Sequence, residues 1–186
     1  MTDEQPKPIE VAKLDLRYDA PLDRLVLIGR DKAERRVGLQ VTRCLTGRLL
    51  DSLGGLLERA STAARQAPAE FRDDLVLLEH QEAVQAASKA GAYEAGAFSS
   101  AQSAVWEPKK ADISPVLITA IQIKKEEGVL RLIFSNGSAD LAACQINRRS
   151  AHRLIDALSR IAEKADWNLI PGTEWLAKGH KTILVN

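Results

Sequence analysis

The sequence predicts an α+β protein made of two tandem βββα repeats that pair as a pseudo-two-fold body, joined by a partly helical, flexible connector. Three observations carry that expectation. The chain matches itself without a gap at an offset of 105 positions, which lays Leu25–Ala60 on Leu130–Ala165. Each copy shows the period-two apolar alternation of half-buried strands. Each copy then switches, directly after a good N-cap residue, to the 3.6-residue period of an amphipathic helix.

The match is dense where a core would lie. Identical pairs are Leu25/Leu130, Leu27/Leu132, Ile28/Ile133, Gln40/Gln145, Arg43/Arg148, Arg48/Arg153, Leu49/Leu154, Asp51/Asp156, Leu53/Leu158, Glu58/Glu163 and Ala60/Ala165. Others keep their type, such as Val41/Ile146 and Leu56/Ile161. A gapless register that also preserves the apolar phase is the signature of an internal repeat.

Residues 1–10 are polar and acidic, without a basic-then-apolar leader pattern, and are expected to be disordered. The first repeat, 11–60, opens with a strand over Val11–Tyr18, alternating through Leu14, Leu16 and Tyr18. Turn residues Asp19, Pro21 and Asp23 lead to a second strand at Leu25–Ile28, and the polar stretch Arg30–Arg36 leads to a third through Val37, Leu39 and Val41. Thr42 caps a helix whose apolar face is Leu49, Leu50, Leu53, Leu56, Leu57 and Ala60. The second repeat, 116–165, repeats the phase with Ile121 and Ile123, Leu130 and Leu132, then Ala142, Cys144 and Ile146. Gly128 and Asn136-Gly137 are its turns, and Asn-Gly is a strong hairpin signal. Asn147 caps a helix with Ala151, Leu154, Ile155, Leu158 and Ile161 on one face.

The connector, 61–115, reads as a helix over Ala69–Ala90 followed by an Ala-, Gly- and Ser-rich stretch, Ser88–Ala111. It is either a flexible linker or an arm whose isolated aromatics, Tyr93, Phe98 and Trp106, dock on a partner. After the second helix, 166–186 is expected to hold one or two short strands, at Thr173–Leu176 and Thr182–Val185, with Trp167 and Trp175 closing the core. A single βββα unit buries little surface alone. Both repeats are therefore expected to form one body, or two chains to exchange repeats in a homodimer.

Composition narrows the function classes. The chain has 186 residues, 45% of them hydrophobic, with 26 basic against 25 acidic residues. No run approaches the roughly 18 apolar residues of a membrane span. Two cysteines make no disulfide framework, which points to the cytoplasm. Phosphate-loop, dinucleotide-binding and nucleophile-elbow patterns do not occur, so neither enzymatic activity nor a cofactor is expected. His80, His152 and His180 stand apart in sequence with no metal-ligand spacing, and His152, which replaces Gly47 of the first copy, is expected to be exposed. Cys144 reads as a buried strand residue.

What stands out is arginine. Arg43 and Arg48 recur as Arg148 and Arg153, with Arg149 added, all in the opening turns of the helices. Guanidinium beside free helix N–H groups makes an anion site. The alternative is i,i+3 neutralisation by Asp51 and Asp156. The hairpin Arg30–Arg36 adds Arg30, Lys32, Arg35 and Arg36, whereas its counterpart Ser135–Asp140 is neutral to acidic, so any basic surface belongs mainly to the first copy.

Tandem sheet-plus-helix repeats that pair within one chain are similar to the PUR and whirly-type single-strand nucleic-acid binders, here over Val11–Ala60 and Val116–Ala165. The resemblance is architectural. It implies four strands per repeat, against the three counted above, and base stacking on sheet aromatics, for which the strands offer Tyr18 and Phe134. Two functions are thus expected of the chain. The first is a non-catalytic binding or assembly module that engages a protein partner, or a second copy of itself, through the connector arm or a sheet edge. The alternative is single-stranded nucleic-acid binding through the basic helix starts.

Overall fold

Alternation in the first half builds a hairpin ladder, and the computed structural model describes it within residues 7–90, 98–100 and 114–183. A short strand β1 (Ile9–Val11) precedes three antiparallel strands, β2 (Lys13–Asp19), β3 (Arg24–Arg30) and β4 (Arg36–Thr42). Leu14, Leu16, Leu25, Leu27, Leu39 and Val41 all point inward and are buried, as their shared phase requires. Turn chemistry follows the side chains. Asp23 adopts φ 48°, a left-handed conformation that aspartate tolerates better than most residues. The Asp31 carboxylate accepts from the amides of Ala33 and Arg35, each at 2.8 Å, and closes the next turn.

The second half repeats the construction. β7 (Ala120–Glu126), β8 (Val129–Ser135) and β9 (Asp140–Asn147) are antiparallel, turned at Gly128 (φ 72°) and at Asn136-Gly137, where Gly137 takes φ 90°. Only glycine holds such angles without strain.

Both helices start where the caps predict. The Thr42 hydroxyl accepts from the Leu45 amide at 3.2 Å ahead of α1 (Arg43–Ala60). The Asn147 side chain accepts from the Ser150 amide at 2.8 Å ahead of α4 (Arg148–Lys164). Thr42→Ala and Asn147→Ala should each destabilise the protein by about 1 kcal/mol, and additively, since they cap different helices. Urea titration of the two variants and the double variant checks this.

The strand count differs from three per half, and the reason is an exchange. One sheet has the order β1-β9-β8-β7; the other has β5-β2-β3-β4-β6, where β5 is Phe98–Ser100 and β6 is Val116–Leu117. Thus β1, which leads into the first half, pairs in parallel with β9 of the second, setting Val11 opposite Cys144. Reciprocally, β6 leads into the second half and pairs in parallel with β4 of the first, setting Val116 opposite Leu39. The 105-residue offset carries Val11 onto Val116 and Leu39 onto Cys144, so the two pairings share one register. Val11–Tyr18 is accordingly two strands, which part at Ala12, where the Ala12 amide donates to the Arg30 carbonyl at 2.7 Å. Ile9 and Glu10 belong to β1 rather than to a disordered terminus, because β9 supplies the backbone partners they need.

The connector contains α2 (Thr62–Gln66), a 3₁₀ turn (Ala69–Phe71) and α3 (Arg72–Ala90), and beyond them β5 pairs in parallel with β2. Of the expected arm, 88–111, residues 88–90 end α3 and 98–100 form β5, while the rest, Tyr93 and Trp106 included, lies outside the described residues. At the C-terminal end the strand expected at Thr173–Leu176 is replaced by a helix, α5 (Glu174–Ile183), which also takes in Thr182 and Ile183 of the second expected strand, whose remainder lies outside the described residues. Trp175, Leu176 and Gly179 have helical spacing and turn toward α3, with Trp175 wholly buried and Gly179 close against Leu77. Burial of that stripe outweighs the short apolar alternation read as strand.

Helices α1 and α4 pack on each other, α3 covers α4, and α5 packs on α3. Trp167 closes the core as expected: it is buried, meets Tyr18 edge-on at 5.7 Å, and donates from its indole to Asp23 at 2.6 Å.

Candidate functional site

The phase that sends the leucines of the first sheet inward sends its cations outward. Register sets Lys13, Arg30 and Arg36 in one row of the outer face, Asp15, Ile28 and Gly38 in the next, then Arg17, Val26 and Gln40, then Asp19, Arg24 and Thr42. Leu117 of β6 extends the third row. One sheet face therefore carries Lys13, Arg17, Arg24, Arg30 and Arg36 against Asp15 and Asp19, with Glu34 of the adjoining turn reaching Lys13 at 3.8 Å and Arg30 at 3.9 Å. Arg30 pairs with Asp15 at 3.0 Å. Three guanidinium nitrogens, Arg17 Nε, Arg24 Nη1 and Arg30 Nε, are shielded from solvent yet meet no acceptor among the described residues. Shielded donors without acceptors are costly and favour an anion that supplies them.

The opposite sheet is balanced. Arg131 on its outer face pairs with Glu10 of β1, and Glu126 accepts from Gln145 at 2.9 Å beside Lys124.

The residues singled out from sequence scatter across this frame. Arg30 and Arg36 belong to the basic face, and Lys32 is exposed in the adjoining turn. Arg35 is held by Asp31 at 2.6 Å; burial works to raise the Asp31 pKa, but hydrogen bonds from Arg35 and Ala33 hold it below the ordinary carboxylate value. Arg43 opens α1 beside the face: a shallow cleft bounded by Asp23, Arg24, Arg43 and Cys44 joins the two. Hydrogen bonds from Trp167 and Tyr18 hold the Asp23 carboxyl below its usual range, so it stays ionised there. Arg48 and Arg149 are exposed on their helices, and Arg153 is half-buried.

Arg148 is placed differently from its counterpart Arg43. It donates to the Leu57 carbonyl at 3.0 Å and pairs with Glu79, tying the start of α4 to α1 and α3. Asp51 accepts from the Gly172 amide at 2.7 Å, and Asp156 pairs with Arg160 at 3.0 Å.

Arg17, Arg24 and Lys13 escaped the sequence reading, although their signal was present in the strand alternation, on the phase opposite to the leucines. The aromatics that a stacking platform would need are turned inward: Phe134 is buried and Tyr18 lies on Trp167.

A second cluster lies between α3, α4 and α5. His80 and His152, separated in sequence, meet with ring centroids 5.5 Å apart, and Trp175 contacts both. His152 is 2% exposed rather than a surface residue, because α3 and α5 cover this side of α4. Neither of its ring nitrogens has a hydrogen-bond partner among the described residues. Burial first, then His80 and Arg148, push its pKa down to about 3, so the ring is neutral at pH 7. Burial likewise pushes the Cys144 thiol up to about 12, so it is not a nucleophile near neutrality. Among the described residues no group of three or more His, Cys, Asp or Glu is arranged to hold a metal.

No protein-family model, curated protein or solved structure matches the chain. What can be stated of its class is an α+β protein with two sheets and five α-helices among the described residues. No helix there is long and apolar enough to cross a membrane.

Proposed function

We propose that this protein is a non-catalytic binding module, built from a duplicated βββα unit, that takes single-stranded nucleic acid on the outer face of its first sheet. The observation that carries the reading is the row-by-row clustering of Lys13, Arg17, Arg24, Arg30 and Arg36 on that face, with shielded guanidinium donors that meet no acceptor among the described residues. Phosphate oxygens are the acceptors such donors suit. Arg43 and Lys32 extend the surface at two of its margins. The reciprocal register of β1 and β6 supports the duplication, because a pseudo-two-fold pairing of two copies would produce it.

Among the described residues no aromatic side chain is turned outward on this face, so affinity is assigned to phosphate contacts and guanidinium stacking. Fluorescence anisotropy of a labelled 20-nucleotide oligothymidine should therefore show micromolar binding at 50 mM salt that weakens at least tenfold at 200 mM. No binding at 50 mM salt overturns the reading. The free, unbridged cysteines, Cys44 exposed and Cys144 buried, suit a reducing compartment, and we place the protein in the cytoplasm.

A protein partner is the second reading, and a specific observation favours it. The seven-residue strand β7 stands at the edge of its sheet. Open edges are templates for strand addition.

A further inference from the structure

The openings of α1 and α4 differ. At α4 the side chain of His152 is buried against His80 and Trp175, and Arg148 is committed to Leu57 and Glu79. The 105-residue offset makes Gly47 the counterpart of His152, and at α1 a cleft of about 490 Å³ stands beside that glycine. Small-ligand sites span roughly 300–1,000 Å³. Glycine inside a helix is unfavourable, and packing does not call for it here. A Cβ at Gly47 would meet Leu169 at an ordinary 3.7 Å, whereas at Gly54 of the same helix it would meet Thr173 at 2.9 Å.

Two chemistries bound the cleft. Leu22, 51% exposed, and half-buried Leu169 give it apolar surface. Arg24 and Arg43 give it charge, and Arg24 Nη1 is shielded without an acceptor among the described residues. Carboxylates stand at the same end, but protein donors engage them. Asp19 accepts from the Leu22 amide at 3.2 Å, and one oxygen of Asp23 accepts from Tyr18, at 2.8 Å, and from Trp167. Arg24 and Arg43 favour the Asp23 charge without a hydrogen bond to it. The cleft is continuous with the basic face, whose last row is Asp19, Arg24 and Thr42.

We propose that this cleft seats one base of a bound single strand, with the phosphate beside that base on Arg24 and Arg43. A nucleotide joins both chemistries in one unit. Its flat ring lies on Leu22, Leu169 and the bare backbone at Gly47, and its anionic oxygens accept from the guanidinium groups. The proposal rests on the nucleic-acid reading and adds a base contact to it. The sheet face offers no such contact, since Tyr18 and Phe134 are turned inward.

Cys44 borders the cleft and is exposed, whereas Cys144 is buried, so Cys44 is the reporter. The test is the rate of Cys44 alkylation by N-ethylmaleimide in the full chain at 50 mM salt, read by mass spectrometry. It is measured with 20-nucleotide oligothymidine and with an abasic strand of the same length and charge. At equal occupancy, oligothymidine should slow alkylation at least about tenfold and the abasic strand less than about twofold. Gly47→Leu fills the cleft and should weaken oligothymidine binding at least about fivefold, leaving the abasic strand within about twofold. Leu22→Ser, at an exposed position, should do the same without entering the helix. Oligothymidine that binds without slowing alkylation, or that binds both variants as it binds the parent, overturns the cleft and leaves the sheet-face reading in place. Equal slowing by the two strands makes the cleft a phosphate site and overturns the base contact. Thymidine monophosphate that protects Cys44 at or below the protecting concentration of the strand makes a free nucleotide the ligand and overturns the strand assignment. Absence of binding by either strand overturns the nucleic-acid reading and this site with it.

Discussion

Acidification from pH 7.5 to pH 5 should cost the protein about 2 kcal/mol through His152 alone, and replacing His152 by leucine should remove that loss. In the unfolded chain an imidazole titrates near 6.5. In the folded protein the His152 pKa falls to about 3. A depressed folded pKa means that the unfolded state binds the proton first. The stabilisation is therefore complete above about pH 6.5 and is lost as pH falls toward 3. At about 1.4 kcal/mol per pKa unit, the whole window is worth on the order of 5 kcal/mol, a large share of a typical domain's stability.

The groups that surround the ring set the sign. His80 faces it from α3, the Arg148–Glu79 pair lies beside it, and Trp175 closes it from α5. A proton arriving on His152 enters an apolar site already bordered by a guanidinium. His152→Leu keeps much of the volume and deletes two unsatisfied nitrogens, so at pH 7.5 its stability should stay within about 2 kcal/mol of the parent. Urea midpoints at pH 7.5, 6.0 and 5.0 decide the matter. The difference between parent and variant should close by about 2 kcal/mol between the first and last pH, and parallel pH profiles would show that His152 is not the titrating group.

This cluster also marks where sequence reading stops. Period and cap chemistry are local, and they were legible: Thr42 and Asn147, the Asn-Gly turn, and the leucine phase of β2, β3 and β4 all lie where a few neighbouring residues dictate. The expected hairpins follow for the same reason. His152 escaped because its burial is decided by α3 and α5, which no pattern within α4 announces. The swapped strands escaped for a related reason. Two or three residues, Val116–Leu117 or Ile9–Val11, carry too little alternation to be read as strands, and their partners lie more than seventy-five positions away. In α5, Thr173–Leu176 looked extended because a short apolar run fits strand or helix, and only packing on α3 chooses between them. The basic face was half legible. Its charges stood in plain view on β2 and β3, but attention to the apolar phase, the helix starts and the Arg30–Arg36 hairpin picked out Arg30 and Arg36 and passed over Lys13, Arg17 and Arg24, while including Arg148, which the fold uses as a tie.

Replacing Arg17, Arg24 and Arg36 together by glutamine should reduce oligothymidine affinity at 50 mM salt by roughly a hundredfold and flatten the salt dependence. Each phosphate contact on a single strand contributes about 0.7 to the slope of log K against log salt, so losing three should lower it by about 2. Arg30 is left intact because removing it would strand Asp15, its 3.0 Å partner, and confuse binding with stability. The three chosen side chains lie on the face of β2, β3 and β4 opposite Leu16, Leu25 and Leu39, so the leucine core need not respond. A matched variant, Arg48→Gln/Arg149→Gln/Arg153→Gln, changes the same charge at the helix starts. If the sheet face is the site, this second variant keeps its slope within about 0.7 of the parent. The reverse result, loss of slope in the helix variant alone, would move the ligand to the helix N-termini. Equal losses in both would reduce the interaction to net charge, with no defined face.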